Sequence, residues 1–224
     1  MAIELDNDDL LIKFEPGNVP LLVVAFTGIG HGMGAIQTEE FRKSLGSVMK
    51  DDKIFHIIRV IEKRRLWFNH GVIEPITAHV NAIIAREGIT RVVTLGHSMG
   101  AFGAIIFAKR FQHCTQAIAF SPQSSVQPEI VPFELRWQIW RQNIMQWDIP
   151  DATTELSPGV RYDIFFGTQD ELDMRHAARF SQEESPNAVL HLIAGAKHSV
   201  VTQLKETGKL YTILHDLVWT APTL

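Results

Sequence analysis

Short runs of apolar residues recur along the 224-residue chain, and each run ends in small or turn-forming residues. The runs are rich in β-branched side chains and nearly continuous, which predicts strands buried on both faces of a sheet. Between them, apolar residues recur at helical spacing. The predicted strands are residues 21–26, 54–61, 91–95, 116–120, 163–166 and 188–193, and the predicted helices are residues 38–49, 72–86, 101–111, 173–182 and 200–218.

This alternation of strands and helices predicts one α/β domain spanning residues 1–224, with a mostly parallel central sheet and helices on both faces. Residues 2–14 add an edge hairpin that turns near Asn7 and Asp8. In such a sheet, ligands bind beyond the carboxyl ends of the strands. We therefore look for functional residues in the loops that follow the strands.

Residues 121–158 interrupt the alternation, because they contain no predicted strand and are punctuated by five prolines. We interpret them as a small helical cap inserted into the domain. Within them, aromatic and apolar residues recur at helical intervals, which predicts an amphipathic helix with an aromatic face. These residues are Phe133, Trp137, Trp140, Ile144 and Trp147.

Composition narrows the class of protein. Hydrophobic residues at 46% and charged residues at 21% are typical of a soluble globular domain. A net charge of −4 offers no cationic surface for nucleic acid or anionic membranes. No apolar run is long enough to span a bilayer, and the acidic residues 1–9 lack the features of a secretory signal, so we expect a cytoplasmic protein.

The most informative stretch is Gly96-His97-Ser98-Met99-Gly100, a Gly-x-Ser-x-Gly pattern between a predicted strand and a helix of small residues. A sharp strand-to-helix turn holds its central serine in strained geometry, and flanking glycines are needed where a Cβ would clash. The turn projects the Ser98 hydroxyl beyond the strand. The N-terminus of the following helix then faces any negative charge that develops there.

At this motif the chain resembles the α/β-hydrolase superfamily, and the resemblance extends over most of its length in the order nucleophile, acid, histidine. It implies that Ser98 is the nucleophile, that Asp170 in Gly167-Thr168-Gln169-Asp170 is the acid, and that His198 is the base. Asp173 is the alternative acid, although it could equally be the N-cap of the next helix. His97, inside the turn, is not the expected base.

The resemblance also implies an oxyanion hole with two backbone donors. The Met99 N–H would supply one, and the glycine-rich loop after the first buried strand would supply the other, from Gly28 or Ile29. His31 in the same loop is either a substrate contact or simply exposed.

Several aromatic residues are candidates for substrate binding, each with a structural alternative. Residues 64–70, which include Trp67, either bind a substrate carboxylate or sugar, or form a solvated basic loop with aromatic anchors. Trp137 and Trp140 either line an acyl pocket or pack the cap onto the body. The ten histidines are scattered without metal-ligand spacing, so we expect no metal and no cofactor.

The sequence therefore predicts a serine hydrolase that cleaves a small-molecule carboxylic ester or thioester through an acyl-enzyme on Ser98. An acyltransferase would use the same three residues with another acceptor in place of water. A non-catalytic binding protein could retain the same fold and use the capped pocket for recognition. The sequence gives no indication of oligomeric state.

Overall fold

A computed structural model describes residues 1–29, 40–182 and 187–222. Its centre is an eight-stranded sheet with the strand order β1-β2-β4-β3-β5-β6-β7-β8. Strands β3 to β8 run parallel, and the β1–β2 hairpin pairs antiparallel with β4 at one edge. The strands are β1 Ala2–Asp6, β2 Leu10–Glu15, β3 Val19–Phe26, β4 Phe55–Glu62, β5 Arg91–His97, β6 Cys114–Phe120, β7 Arg161–Gly167 and β8 Ala188–Ile193.

Helices cover both faces of this sheet. Helices α2, α3 and α5 pack on one face, and α1, α6 and α7 pack on the other, because each buries an apolar stripe against the β-branched residues of the strands. The predicted fold class, a mostly parallel sheet between two layers of helices, is confirmed. The helices are α1 Arg42–Ser47, α2 Ile73–Arg86, α3 Met99–Ala108, α4 Gln138–Arg141, α5 Glu171–Gln182, α6 Val200–Glu206 and α7 Lys209–Trp219.

The C-terminal helical region differs from its prediction. Residues 200–218 were expected to form one helix, but α6 ends at Glu206 and α7 begins at Lys209. Gly208 between them has a φ of 73°, a left-handed conformation that glycine adopts without steric cost. The two shorter helices both pack on the sheet face that also carries α1.

The insertion between β6 and β7 (residues 121–160) also departs from expectation. Its helix α4 has only four residues, because side chains of Gln142 and Asn143 bond to the backbone oxygen of Ile139 at 3.3 and 3.0 Å and the chain turns away. The prediction of one long helix with an aromatic face is therefore wrong. The aromatic rings of the insertion contact separate partners instead. Among the described residues, no helix is both long and apolar enough to cross a membrane.

Candidate active site

Ser98 sits in a strained turn between β5 and α3. Its φ of 55° and ψ of −123° lie far from ordinary backbone conformations for a side chain of this kind. A Cβ on Gly96 would lie 2.1 Å from the backbone oxygen of Gly100, and a Cβ on Gly100 would lie 2.3 Å from that of Phe26. Both flanking glycines are therefore needed for the turn to form.

His198 lies in the loop between β8 and α6, at the carboxyl edge of the sheet. Its Nε2 is 3.0 Å from the Oγ of Ser98, a residue 100 positions away in the chain. The Nε2 of His97 donates to the backbone oxygen of His198 at 3.1 Å and so ties this loop to the turn that carries Ser98. The structure thus brings together the predicted nucleophile and the predicted base.

The carboxylate that meets His198 belongs to Asp173, which corrects the predicted pairing with Asp170. Both oxygens of Asp173 lie 2.9 Å from the Nδ1 of His198. Asp170 instead precedes α5 and accepts the backbone N–H of Asp173 at 3.0 Å, which is the position and bond of an N-cap. The two carboxylates therefore exchange the positions that the sequence analysis gave them, because the residue that meets His198 lies in the first turn of α5 and not before it.

Asp173 is fully buried but has positive partners. Burial alone would raise the pKa of its carboxyl group, but the hydrogen bond from His198 and the charge of Arg136 outweigh burial and hold the pKa below its usual value. Asp173 is consequently an anion at neutral pH. An anion there fixes the His198 tautomer that carries hydrogen on Nδ1 and leaves Nε2 free to accept the Ser98 proton.

Arg136 reaches into this group of residues from the insertion. Its Nη1 lies 2.9 Å from Asp173, 3.3 Å from Asp170 and 3.4 Å from the Nδ1 of His198. These three residues place possible metal ligands within 4.8 Å of one another, but the guanidinium occupies the position that a cation would take among them. Its Nη2 also donates to Glu134 at 2.6 Å.

Glu134 continues the network into the interior. It is fully buried and accepts the Nε2–H of His176 at 3.0 Å, while the Nδ1 of His176 accepts the backbone N–H of Ser124 at 3.1 Å. Burial opposes ionisation of Glu134, but the hydrogen bonds from His176 and Arg136 overcome it and lower its pKa to about 2. Arg136 is thus held rigidly by an ionised partner on its far side.

The residues predicted for the oxyanion hole lie near Ser98. Met99 is the first residue of α3, so its backbone N–H has no partner within the helix. The backbone nitrogen of Gly28 lies 3.1 Å from the point where a Cβ on Gly100 would stand, but its N–H donates to Glu40 at 3.2 Å. Burial raises the pKa of Glu40 to about 7. Ile29 follows directly and is half-buried, and His31 lies outside the described residues.

The predicted substrate-binding tryptophans occupy different positions. The Trp137 ring centroid is 5.8 Å from that of His198, and the fully buried Trp67 ring lies on Trp137, 6.3 Å between centroids. Trp140 stacks under the Arg65 guanidinium, 4.4 Å from its ring centre. Trp140 thus packs the insertion onto the loop that follows β4.

Two residues at the site were missed by sequence reasoning. Gln123 donates from Nε2 to the Ser98 Oγ at 3.3 Å, and Arg136 donates from Nη1 to Asp173 at 2.9 Å. Gln123 could have been found, since it follows the carboxyl end of β6 directly, where sheets of this type place their ligands. Arg136 lies in irregular backbone of the insertion, and no sequence pattern points to it.

Comparisons with known proteins identify the fold. No protein-family model matches the sequence, and no curated protein sequence matches it. Among solved structures, Est1E from Butyrivibrio proteoclasticus is 18% identical with a TM-score of 0.64, covering 97% of this chain and 98% of its own. MenH from S. aureus is 14% identical with a TM-score of 0.60, and the match covers 92% of this chain and 97% of MenH. The Pyrococcus furiosus esterase Pf2001 is 14% identical with a TM-score of 0.60, and the match covers 92% of this chain and 86% of Pf2001. Sheet order, strained turn and structural neighbours together show that the chain has the α/β-hydrolase fold.

Proposed function

We propose that this protein is a serine hydrolase that cleaves a small-molecule carboxylic ester or thioester through an acyl-enzyme on Ser98. The observation that carries the proposal is the continuous contact from the Ser98 Oγ to His198 Nε2 and from His198 Nδ1 to the Asp173 carboxylate. A serine hydroxyl is a weak nucleophile unless an adjacent base removes its proton, and this arrangement supplies that base.

The mechanism follows from these positions. His198 Nε2 takes the proton of Ser98 as the Oγ attacks the substrate carbonyl, and the same nitrogen later returns the proton to the leaving group. Asp173 remains ionised and stabilises the imidazolium that forms between these steps. Water activated by His198 then hydrolyses the acyl-enzyme and restores the Ser98 hydroxyl.

The oxyanion of the tetrahedral intermediate needs two backbone donors. We assign Met99 as one, because its N–H stands free at the N-terminus of α3 beside Ser98. For the second we favour Ile29 over Gly28, because the Gly28 N–H is already engaged by the carboxyl group of Glu40. With either second donor, the substrate carbonyl would lie between the turn that carries Ser98 and the loop that follows β3.

An ester or thioester with an apolar acyl group fits the surroundings best. The Trp137 ring lies beside His198, 5.8 Å between ring centroids, and the surface next to Trp137 carries the exposed apolar side chains of Leu135 and Ile139. Esterase is also the activity named for Pf2001, one of the structural neighbours. We propose that this aromatic and apolar surface accepts the acyl chain.

A fluorophosphonate probe tests the proposal directly. The probe should label the wild-type protein and not Ser98→Ala, while hydrolysis of p-nitrophenyl esters of graded chain length should be lost in the same variant. Ser124→Ala is a matched control, since Ser124 also lies beside a histidine, with its Oγ 2.9 Å from His176, but is fully buried. Labelling should persist in Ser124→Ala.

The same experiment separates the alternatives. A protein that is not labelled in either form would be the non-catalytic binding protein. An acyltransferase would be labelled at Ser98 but would transfer the acyl group to an added alcohol or amine faster than to water, which product analysis measures. Labelling that survives Ser98→Ala would contradict the assignment of the nucleophile.

A further inference from the structure

The loop after β4 holds a buried tryptophan in an unfavourable backbone conformation. Trp67 is fully buried and has a φ of 51°, in the left-handed region that bulky residues rarely adopt. The carboxylate of Glu62 accepts the backbone N–H groups of Arg64, at 2.7 Å, and of Leu66, and so maintains this loop. Such strain persists only where the surroundings impose it, and it concentrates at functional sites.

The indole of Trp67 is the start of a chain of hydrogen bonds that ends at the proposed nucleophile. Trp67 Nε1–H donates to the Oε1 of Gln123 at 3.0 Å, and the Nε2 of Gln123 donates to the Ser98 Oγ at 3.3 Å. An indole N–H can only donate, so the Gln123 atom that faces it must be the amide oxygen. The amide NH₂ group is thereby directed at Ser98.

The direction of these bonds decides where the Ser98 hydrogen lies. Because Ser98 Oγ accepts from Gln123, its own hydrogen is free to point at His198 Nε2, 3.0 Å away. With the amide turned over, Gln123 Oε1 would face Ser98 and compete with His198 for that hydrogen. The orientation imposed by Trp67 therefore favours the productive hydroxyl rotamer.

Building on the proposed function, we propose that Trp67 and Gln123 are positioning residues that polarise the Ser98 hydroxyl toward His198. All the hydrogen bonds from Trp67 to Asp173 then run in one direction, with each donor facing the next acceptor. As Ser98 loses its proton, its Oγ bonds to the substrate carbonyl carbon and the negative charge develops on the carbonyl oxygen, so Gln123 acts before this step by keeping the hydroxyl hydrogen directed at His198. The two residues act through Ser98 and need not touch the substrate.

Substitutions of Trp67 and Gln123 distinguish this role from simple packing. Trp67→Phe keeps an aromatic ring but removes the indole N–H, and we expect kcat for p-nitrophenyl butyrate to fall about tenfold while KM stays within about twofold. Gln123→Leu should cause a similar loss. Gln123→Glu keeps the shape but presents an acceptor to Ser98, and we expect a loss of about 100-fold.

A double-mutant cycle provides the sharper criterion. If Trp67 acts only through the Gln123 amide, the variant that combines Trp67→Phe with Gln123→Leu should be no slower than Gln123→Leu alone. Independent packing roles would instead multiply the two losses and overturn the proposal. Trp219→Phe is the matched control, because that indole donates to the backbone oxygen of Val48, far along the chain from the site, and its kcat should be unchanged.

A measurement that needs no turnover keeps this proposal separate from the proposed function. The ¹⁵N chemical shift of His198 Nε2 reports the strength of the hydrogen bond that this nitrogen accepts. Trp67→Phe should move the shift toward the value in Ser98→Ala, and it should have no effect when introduced into Ser98→Ala itself. If Trp67→Phe changes the shift even in Ser98→Ala, or changes it in neither background, the positioning role is overturned. Either outcome would do so even if the protein proves to be a hydrolase.

Discussion

The carboxylate of Asp173 lies 2.9 Å from the Nδ1 of His198, whereas the carboxylate of Asp170 accepts the backbone N–H of Asp173 at the start of α5. Two acidic residues three positions apart thus make different contacts. One can orient the imidazole of the proposed base, and the other caps the helix that carries its neighbour. This division makes the two carboxylates experimentally separable.

Substitution of the two aspartates should give very different losses of activity. Asp173→Asn leaves an amide that can no longer fix the productive tautomer of His198, and we expect kcat for p-nitrophenyl butyrate to fall about 10³- to 10⁴-fold. Asp170→Asn can still cap the helix, so its loss should be less than about tenfold. Steady-state kinetics of both variants measure the difference, and a larger loss in Asp170→Asn would contradict the assignment of the acid.

Arg136 should affect activity through Asp173. Burial opposes ionisation of the Asp173 carboxyl group, and the Arg136 guanidinium, 2.9 Å away, helps to hold the pKa of that group below its usual value. In Arg136→Met, we expect kcat for p-nitrophenyl butyrate to fall about tenfold, since the buried carboxylate that orients His198 loses a partner that fixes its position. Steady-state kinetics measure the change.

The control for Arg136 is another arginine in an ion pair. Arg110→Met removes a guanidinium that pairs with Glu155 instead of Asp173, so its kcat should stay at the wild-type value. A kcat of Arg136→Met equal to that of the wild type would mean that the Arg136 guanidinium does not help to position Asp173.

Much of the fold could be predicted because its signals are local. The strand β5 and the turn at Ser98 follow from a run of β-branched residues and from two glycines whose Cβ atoms would meet backbone. His198 was placed by its position after the last strand. The strand order was not predicted, and successive strands are not always neighbours, because β3 lies between β4 and β5.

The rest of the site depends on contacts between distant segments. Arg136 reaches Asp173 from the insertion, whose backbone is mostly irregular, so no period in the sequence indicates where its side chain goes. For Gln123, only its position after β6 points toward Ser98. The choice between Asp173 and Asp170 depends on the rotation of α5 against the sheet. A spacing of three residues cannot reveal that rotation.

The glycines of the turn should be indispensable to folding. Gly96→Ala would place a Cβ 2.1 Å from the backbone oxygen of Gly100, which no side-chain movement can relieve, and we expect a loss of unfolding free energy of more than about 3 kcal/mol. Gly46→Ala is the matched control within α1, where nothing lies within 4 Å of the added atom, and alanine there should raise stability by about 0.5–1 kcal/mol. Urea denaturation followed by tryptophan fluorescence compares the two, and equal stability would contradict the geometry of the turn.

Glu134 should make stability depend on pH in the acidic range. Although burial opposes its ionisation, hydrogen bonds from His176 and Arg136 lower its folded-state pKa to about 2, against 4.5 for an unperturbed carboxyl group. The unfolded chain therefore takes up this proton first as the pH falls. The stabilisation is complete above about pH 4.5 and is lost progressively as the pH falls toward 2.

Glu134→Gln tests this linkage because it removes the charge while nearly keeping the shape. At pH 7 we expect its unfolding free energy to be lower by about 3 kcal/mol, since His176 and Arg136 lose a buried anionic partner. Between pH 4.5 and 2, its stability should fall less steeply than that of the wild type. Glu129→Gln, a substitution of an exposed residue in the same insertion, should keep the wild-type dependence of unfolding free energy on pH. If the unfolding free energy of Glu134→Gln falls with pH as steeply as that of Glu129→Gln, the Glu134 carboxylate does not cause the loss of stability in acid.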